Sequence, residues 1–246
     1  PGIWLAPFLA SPESQLYKQH PKWFVEGASY KHPTGTYHIL DLTHPAALQF
    51  LKSSMRRLVA MGFKKLKIDF LMTGAYAGNR YLNKTGLEAY QMGLAAIREA
   101  VGDEVDIIFE CHSLPGATSA IQIGEIAEEF DCMYFEEPVN YLNHSLHAKV
   151  ADKVNVPIAG GERLYNRWGV RPYLEDQSID VLQPDIGLCG GFTETKKVCD
   201  YADIFDVRIQ AHVCGGPVAT AASLHLETAI PNFLIHEHHT YAIKKW

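Results

Sequence analysis

Short apolar runs rich in β-branched and aromatic residues recur along the chain, with helical patterns between them. They read as strands over GIWLAPF (2–8), FKKLKIDFL (63–71), VDIIFEC (105–111), DCMYFEE (131–137), VPIAGGE (156–162), DVLQPD (180–185), VRIQAH (207–212) and NFLIHE (232–237). Residues 46–61 place Ala47, Leu48, Leu51, Met55, Leu58 and Val59 on one helical stripe. Thr43 is expected to cap that helix, with Pro45 just inside it and Gly62 past its end. Thr85 and Glu88 have capping-box spacing ahead of a helix that stops at Gly102. Residues 9–41, with HPKWF and GTYHILDL, are predicted to form a long first loop, a length usually tied to function such as a substrate lid.

The polar residue that ends each later run recurs at a near-constant interval. Glu110, Glu136 and Glu162 are spaced by 26 residues, and steps of 23, 27 and 25 lead on to Asp185, His212 and Glu237. That length fits a strand, a helix and two loops, and right-handed crossovers make such strands parallel. The predicted fold is therefore α/β, a single (β/α)8 TIM barrel over residues 1–246, with polar residues converging at the carboxyl ends of its strands. GLCGGF (187–192) lacks the GxGxxG spacing of an open dinucleotide-binding sheet and reads as a loop. Only HHTYAIKKW follows the eighth run, too short for a full final helix. Seven helices for eight strands leave the seam between the last and first strands thinly covered, a site for homo-oligomer contact.

A length of 246 residues and 47% hydrophobic content suffice for a full core. The net charge of −6 gives no basic footprint for nucleic acid. No apolar run has membrane-spanning length and no signal peptide is visible. Cys111, Cys132, Cys189, Cys199 and Cys214 form no CxxC pair and read as reduced thiols of a cytoplasmic protein. The start at Pro1 and the stop at KKW are expected of a trimmed or engineered chain.

Alternation along LKIDFL turns Lys67 and Asp69 into the barrel and Leu66, Ile68 and Phe70 toward the helices, so Asp69 is expected either to pair with Lys67 or to add a negative charge beside a metal site at the neighbouring strand ends. The trio Glu110, Glu136 and Glu162 offers only oxygen ligands, which suits a hard divalent cation, Mg²⁺ before Zn²⁺. Salt bridges from Lys67 or Arg163 would also neutralise it.

Two sets of motifs carry resemblances. GIWLAPF, HPKWF, YHILDLTHP, MRRLVAMGFKKLKIDFLMTGAYAG and TGLEAYQMGLAAIREAVG, within residues 1–104, resemble the retaining α-galactosidases (melibiases). This implies that Asp69 is a relic nucleophile whose acid/base partner has no match here. DIIFECHS, YFEEPVN, VPIAGGERL, LQPDIGLCGG, IQAHVCGGP and LIHEHH, within residues 105–246, resemble strands three to eight of the mandelate racemase branch of the enolase superfamily, nearest its acid-sugar dehydratases. That resemblance implies Mg²⁺ on Glu110, Glu136 and Glu162, with Glu137 behind them. It implies an Asp185–His212 dyad as base, His112 as general acid and Glu237 at the enolate oxygen. Together the two sets imply a chimera of two barrels with a junction near 103–106, where Val101, Val105 and Ile107 would show cavities or strain. The function expected on that basis is a recombined scaffold with no established catalytic activity that retains a divalent-metal site. The alternatives are a Mg²⁺-dependent dehydratase acting on a small acid sugar, and an α-galactosidase using Asp69.

Overall fold

The structure, a computed structural model, describes residues 1–238. In chain order, β1 (Gly2–Leu5) precedes three short-range strands, β2 (Leu9–Ala10), β3 (Phe24–His32) and β4 (Gly35–Leu40). They are followed by β5 (Lys65–Ile68), β6 (Asp106–Glu110), β7 (Tyr134–Glu136), β8 (Ile158–Gly160), β9 (Val181–Leu182) and β10 (Arg208–Ile209). The helices are α1 (Gln15–Gln19), α2 (Pro45–Ala60), α3 (Gly86–Val101), α4 (Ala117–Glu129), α5 (His144–Ala151), α6 (Asn166–Glu175), α7 (Gly191–Asp203) and α8 (Pro217–Glu227). No helix among the described residues is long and apolar enough to cross a membrane.

The main sheet is parallel throughout, in the order β1-β5-β6-β7-β8-β9-β10. Seven of the eight predicted strands form. The eighth, NFLIHE, is reduced to a bridge between Ile209 and Phe233, held by Ile209 N–H to Asn232 O and Leu234 N–H to Ile209 O, both 2.8 Å. Among the described residues it makes no pairing with β1, so the observed sheet is an open, strongly curved one. The curvature is large all the same: Lys67 Nζ, from the second parallel strand, lies 2.9 Å from Glu237 Oε1, just past the last paired segment. The helices α2 to α8 follow the seven strands one for one. The tail HTYAIKKW lies outside the described residues.

Side-chain alternation separates two apolar layers. Leu66, Ile68, Ile107, Phe109 and Phe135 face the helices and are buried in one large cluster. Ile108, Tyr134, Ala159 and Val181 face inward and form a small floor, with Leu234 and Ile235 packed on it. On β6 and β7 the next inward positions are Glu110 and Glu136, so the floor lies directly beneath these two carboxylates.

The region read as a long first loop is a three-stranded antiparallel sheet in the order β2-β4-β3. A two-residue turn, Pro33–Thr34, joins β3 and β4, with Tyr30 opposite Tyr37 and His32 opposite Gly35. Helix α2 is capped by His44, whose Nδ1 accepts from Ala46 N–H, and not by Thr43. Thr43 donates to Asp41 Oδ1 (2.8 Å) and accepts from Leu82 N–H (3.0 Å), tying the strand exit to the loop before α3. The Thr85–Glu88 capping box on α3 is present. At Gly93, a Cβ would sit 2.7 Å from Leu42 Cδ1 and 3.0 Å from Phe8 Cζ, so the absence of a side chain lets α3 lie against the first strands.

The expected junction shows no discontinuity. Val101, Val105 and Ile107 are buried in the same cluster that runs from Phe8 to Ile158. β5 and β6 pair without a register shift from Lys65–Asp106 to Ile68–Phe109. Arg98 binds the surrounding backbone: its guanidinium donates to the carbonyls of Gly102, Val105, Phe130 and Asp131 at 2.8–3.0 Å.

Candidate active site

The carboxyl ends of β5 to β8 turn sharply. Phe70 (φ 54°), His112 (φ 49°), Ser113 (φ 57°) and Glu137 (φ 47°) are left-handed non-glycine residues, and Gly161 (φ 113°) precedes Glu162. Each non-glycine case costs on the order of 1 kcal/mol, and such strain collects at functional sites. Here it re-aims side chains from consecutive strand ends toward one interior.

Glu110, Glu136 and Glu162 are brought together, each with a carboxylate oxygen within 4.8 Å of the others. All three are buried. Their counter-charges come from both sides. Lys67 Nζ donates to Glu136 Oε1 (2.7 Å) and lies 3.5 Å from Glu110 Oε2. Arg163 lies 3.0 Å from Glu162 Oε1 and is also bonded to Glu137. Burial alone would lower the Lys67 pKa, but Glu136, Glu110 and Glu237 raise it well above the usual lysine value. Burial pushes Glu137 up to about 7, with Glu162 adding to the effect and Arg163 opposing it.

Even so, Glu136 Oε2 is buried without a hydrogen-bond partner. An all-oxygen set with one orphaned carboxylate oxygen fits a hard divalent cation such as Mg²⁺. The residues present therefore fit the cation the trio predicts.

Beside the cluster His212 Nδ1 donates to Asp185 Oδ2 (2.8 Å), while its Nε2 lies 3.6 Å from Glu162 Oε2. Asp185 is fixed in turn by the Gly187 N–H (2.7 Å). His112 sits between two carboxylates, Nε2 2.8 Å from Asp69 Oδ1 and Nδ1 2.9 Å from Glu110 Oε1, and within 4.8 Å of Glu162. Burial alone would lower both imidazole pKa values. Asp69 and Glu110 raise His112 to about 11, and Asp185, Cys214, Glu162 and Glu237 raise His212 to about 11.

Asp69 does not pair with Lys67. It accepts from Trp4 Nε1 (2.8 Å) and from the Phe70 N–H (2.6 Å), besides facing His112. The strand alternation that sends Lys67 inward places it one full step deeper, where Glu136 and Glu237 reach it. Glu237 accepts from Lys67 and from the Val213 N–H (2.9 Å). All eight residues singled out in the sequence thus line one interior. Trp4, and the aromatic cover that Phe70 gives His112, escaped the sequence reading; the inward position of Trp4 in GIWLAPF was the available signal for the former.

The family described as "Enolase C-terminal domain-like" matches residues 51–245. A D-xylonate dehydratase from Haloferax volcanii is 31% identical over 232 residues, which is 92% of this chain and 56% of that protein. A D-galactarolactone cycloisomerase from Agrobacterium fabrum is 36% identical over 145 residues, 59% of this chain and 38% of that protein. A crystal structure of an enolase-superfamily member from Salmonella Typhimurium superposes with a TM-score of 0.72 at 47% identity, covering 80% of this chain and 52% of that one. The chain spans no more than 56% of the length of these relatives. The two-source origin expected from the sequence finds no support here. The family match begins at residue 51, well ahead of the supposed junction, and the dehydratase alignment takes in 92% of the chain. The α-galactosidase assignment and the recombined scaffold, which rest on that origin, are likewise unsupported.

Proposed function

Because the chain belongs to the enolase C-terminal domain-like family, we propose that its site carries out the Mg²⁺-dependent dehydration of an aldonate to a 2-keto-3-deoxy acid, within a barrel that closes beyond β10. The observation that carries this reading is the placement of two histidines against the glutamate cluster. His212 is paired with Asp185 at 2.8 Å, and His112 is held between Asp69 and Glu110. The D-xylonate dehydratase relative supplies the substrate class.

Glu110, Glu136 and Glu162 would hold Mg²⁺, which when bound supplies positive charge to the substrate carboxylate and to the negative charge that develops on it. Asp185 fixes the His212 ring so that Nε2 faces the interior and takes the proton from C2. Neutralising Glu162 removes one of the anions that hold His212 in its cationic form, and so favours the base. His112, kept cationic by Asp69 and Glu110, gives its proton to the hydroxyl leaving C3, which departs as water. The enol that remains returns to the keto acid. Glu237 is held ionised: burial would raise its pKa, but Lys67 and His212 keep it below the usual value. Glu237 accepts from Lys67 and from the Val213 N–H, and so holds Lys67 in place.

Incubation with a panel of aldonates and Mg²⁺ should give keto-acid product that disappears with EDTA and in Glu136→Gln. Separately, Mg²⁺ should raise the melting temperature of the wild type and not of Glu162→Gln. No product across the panel, from protein that shows the Mg²⁺ shift, would overturn the dehydratase reading. A missing shift would overturn the metal site.

A further inference from the structure

The β3–β4 hairpin packs on Phe70, the ring that stacks on the histidine beside the glutamate cluster. The Tyr30 ring centre is 5.3 Å from that of Phe70, and His32 is 5.8 Å from it. Phe70 in turn stacks on His112 at 4.6 Å with 30° between the planes. Phe70 is the left-handed residue that follows Asp69, so the strained turn is what puts its ring against the imidazole. Tyr30 is half-buried and lies within electrostatic reach of Asp69 and Tyr76. Its hydroxyl makes no hydrogen bond with the described residues. On the same hairpin, by contrast, the Tyr37 hydroxyl is 2.8 Å from Thr34 Oγ1, which is itself 2.7 Å from His32 Nδ1.

We propose that Tyr30 and His32, backed by Phe70, form the wall that reads the hydroxylated tail of the substrate beyond C3. This rests on the dehydratase reading. The order of strand ends along the sheet gives the direction. His212 follows β10, His112 follows β6 beside Glu110, and Phe70, on which the hairpin packs, follows β5 and stacks on His112. A substrate with its carboxylate at the glutamates, C2 at His212 and C3 at His112 continues past His112. Its later carbons then run along the hairpin face. Aromatic rings pack on the C–H faces of such a chain, and a tyrosine hydroxyl with a nearby imidazole answers its hydroxyl groups, the mix of apolar wall and few polar points that small-ligand sites use. The hairpin would therefore select for chain length and hydroxyl pattern without touching the reacting carbons.

Titration calorimetry at saturating Mg²⁺, in a His212→Asn background that blocks turnover, tests this with D-gluconate and with glycerate, which has no tail. Gluconate should bind more tightly than glycerate. Tyr30→Phe keeps the ring and its stacking, and should weaken gluconate about tenfold, the scale of one lost hydrogen bond, while leaving glycerate unchanged. Tyr37→Phe should change neither. Equal weakening of both acids by Tyr30→Phe, or no change in either, overturns the wall with the dehydratase reading intact. If neither acid binds, the dehydratase reading fails and takes this inference with it.

Discussion

The chain up to Val101 and the chain from Asp106 onward build the same architecture by different means. Each early helix is closed by a side chain: Ser14 on α1, His44 on α2, and the reciprocal Thr85–Glu88 pair on α3. None of α4 to α8 has a side-chain cap. α2 and α3 run 16 residues each, whereas the later helices run 8 to 13. The later part instead supplies Glu110, Glu136, Glu162, Asp185, His212 and Glu237, and most of the left-handed residues. Local stability is concentrated early and reactive groups late. The two parts are still not independent, because Lys67 and Asp69 reach across to the later part's charges.

The sharpest way to break this comparison is to remove the shared charge. Lys67→Met leaves Glu136 and Glu110 buried beside each other, and should cost about 3–5 kcal/mol, read from the urea midpoint without divalent metal. A loss near zero would mean that the two parts are electrostatically separate. Next in size is a pH effect specific to the later part. Burial pushes His147 on α5 down to about 4, while its Nδ1 donates to the Ser178 carbonyl at 3.0 Å. The unfolded chain protonates this histidine near pH 6.5 and the folded chain does not. Its contribution is therefore complete above about 6.5 and is lost as pH falls through about 4, a change of about 3 kcal/mol. Stability curves of wild type and His147→Gln between pH 7 and 4 should diverge in that window; parallel curves would contradict it. The smallest effects test the caps. Thr85→Ala should destabilise by about 1 kcal/mol, and Gly116→Ser, which adds a cap to α4, should stabilise by a few tenths. Equal and negligible changes at both would remove the contrast.

The strand positions and the strand-end chemistry were legible because a parallel repeat leaves a regular mark: an apolar run, then a polar residue, every 23 to 27 positions. The partners of Asp69 were not. Alternation gives a side chain's face but not its depth, and depth decided that Lys67 would meet Glu136 while Asp69 met His112 and Trp4. The antiparallel sheet at 9–41 did carry a signal, alternation on both sides of Pro33–Thr34, but the one-strand-one-helix rhythm elsewhere favoured reading it as a loop. The eighth strand shrank to a bridge because its run bonds only to β10 among the described residues, and a single ladder of two bonds is too little to extend pairing.

Arg98 gives the last consequence. One guanidinium holds four carbonyls that belong to the end of α3, the entry to β6 and the turn after α4. None of these segments can open to solvent without releasing the others, so their slowest-exchanging amides should share a single opening free energy. The stretch where the sequence pointed to a boundary between two pieces would then behave in hydrogen exchange as one cooperative unit.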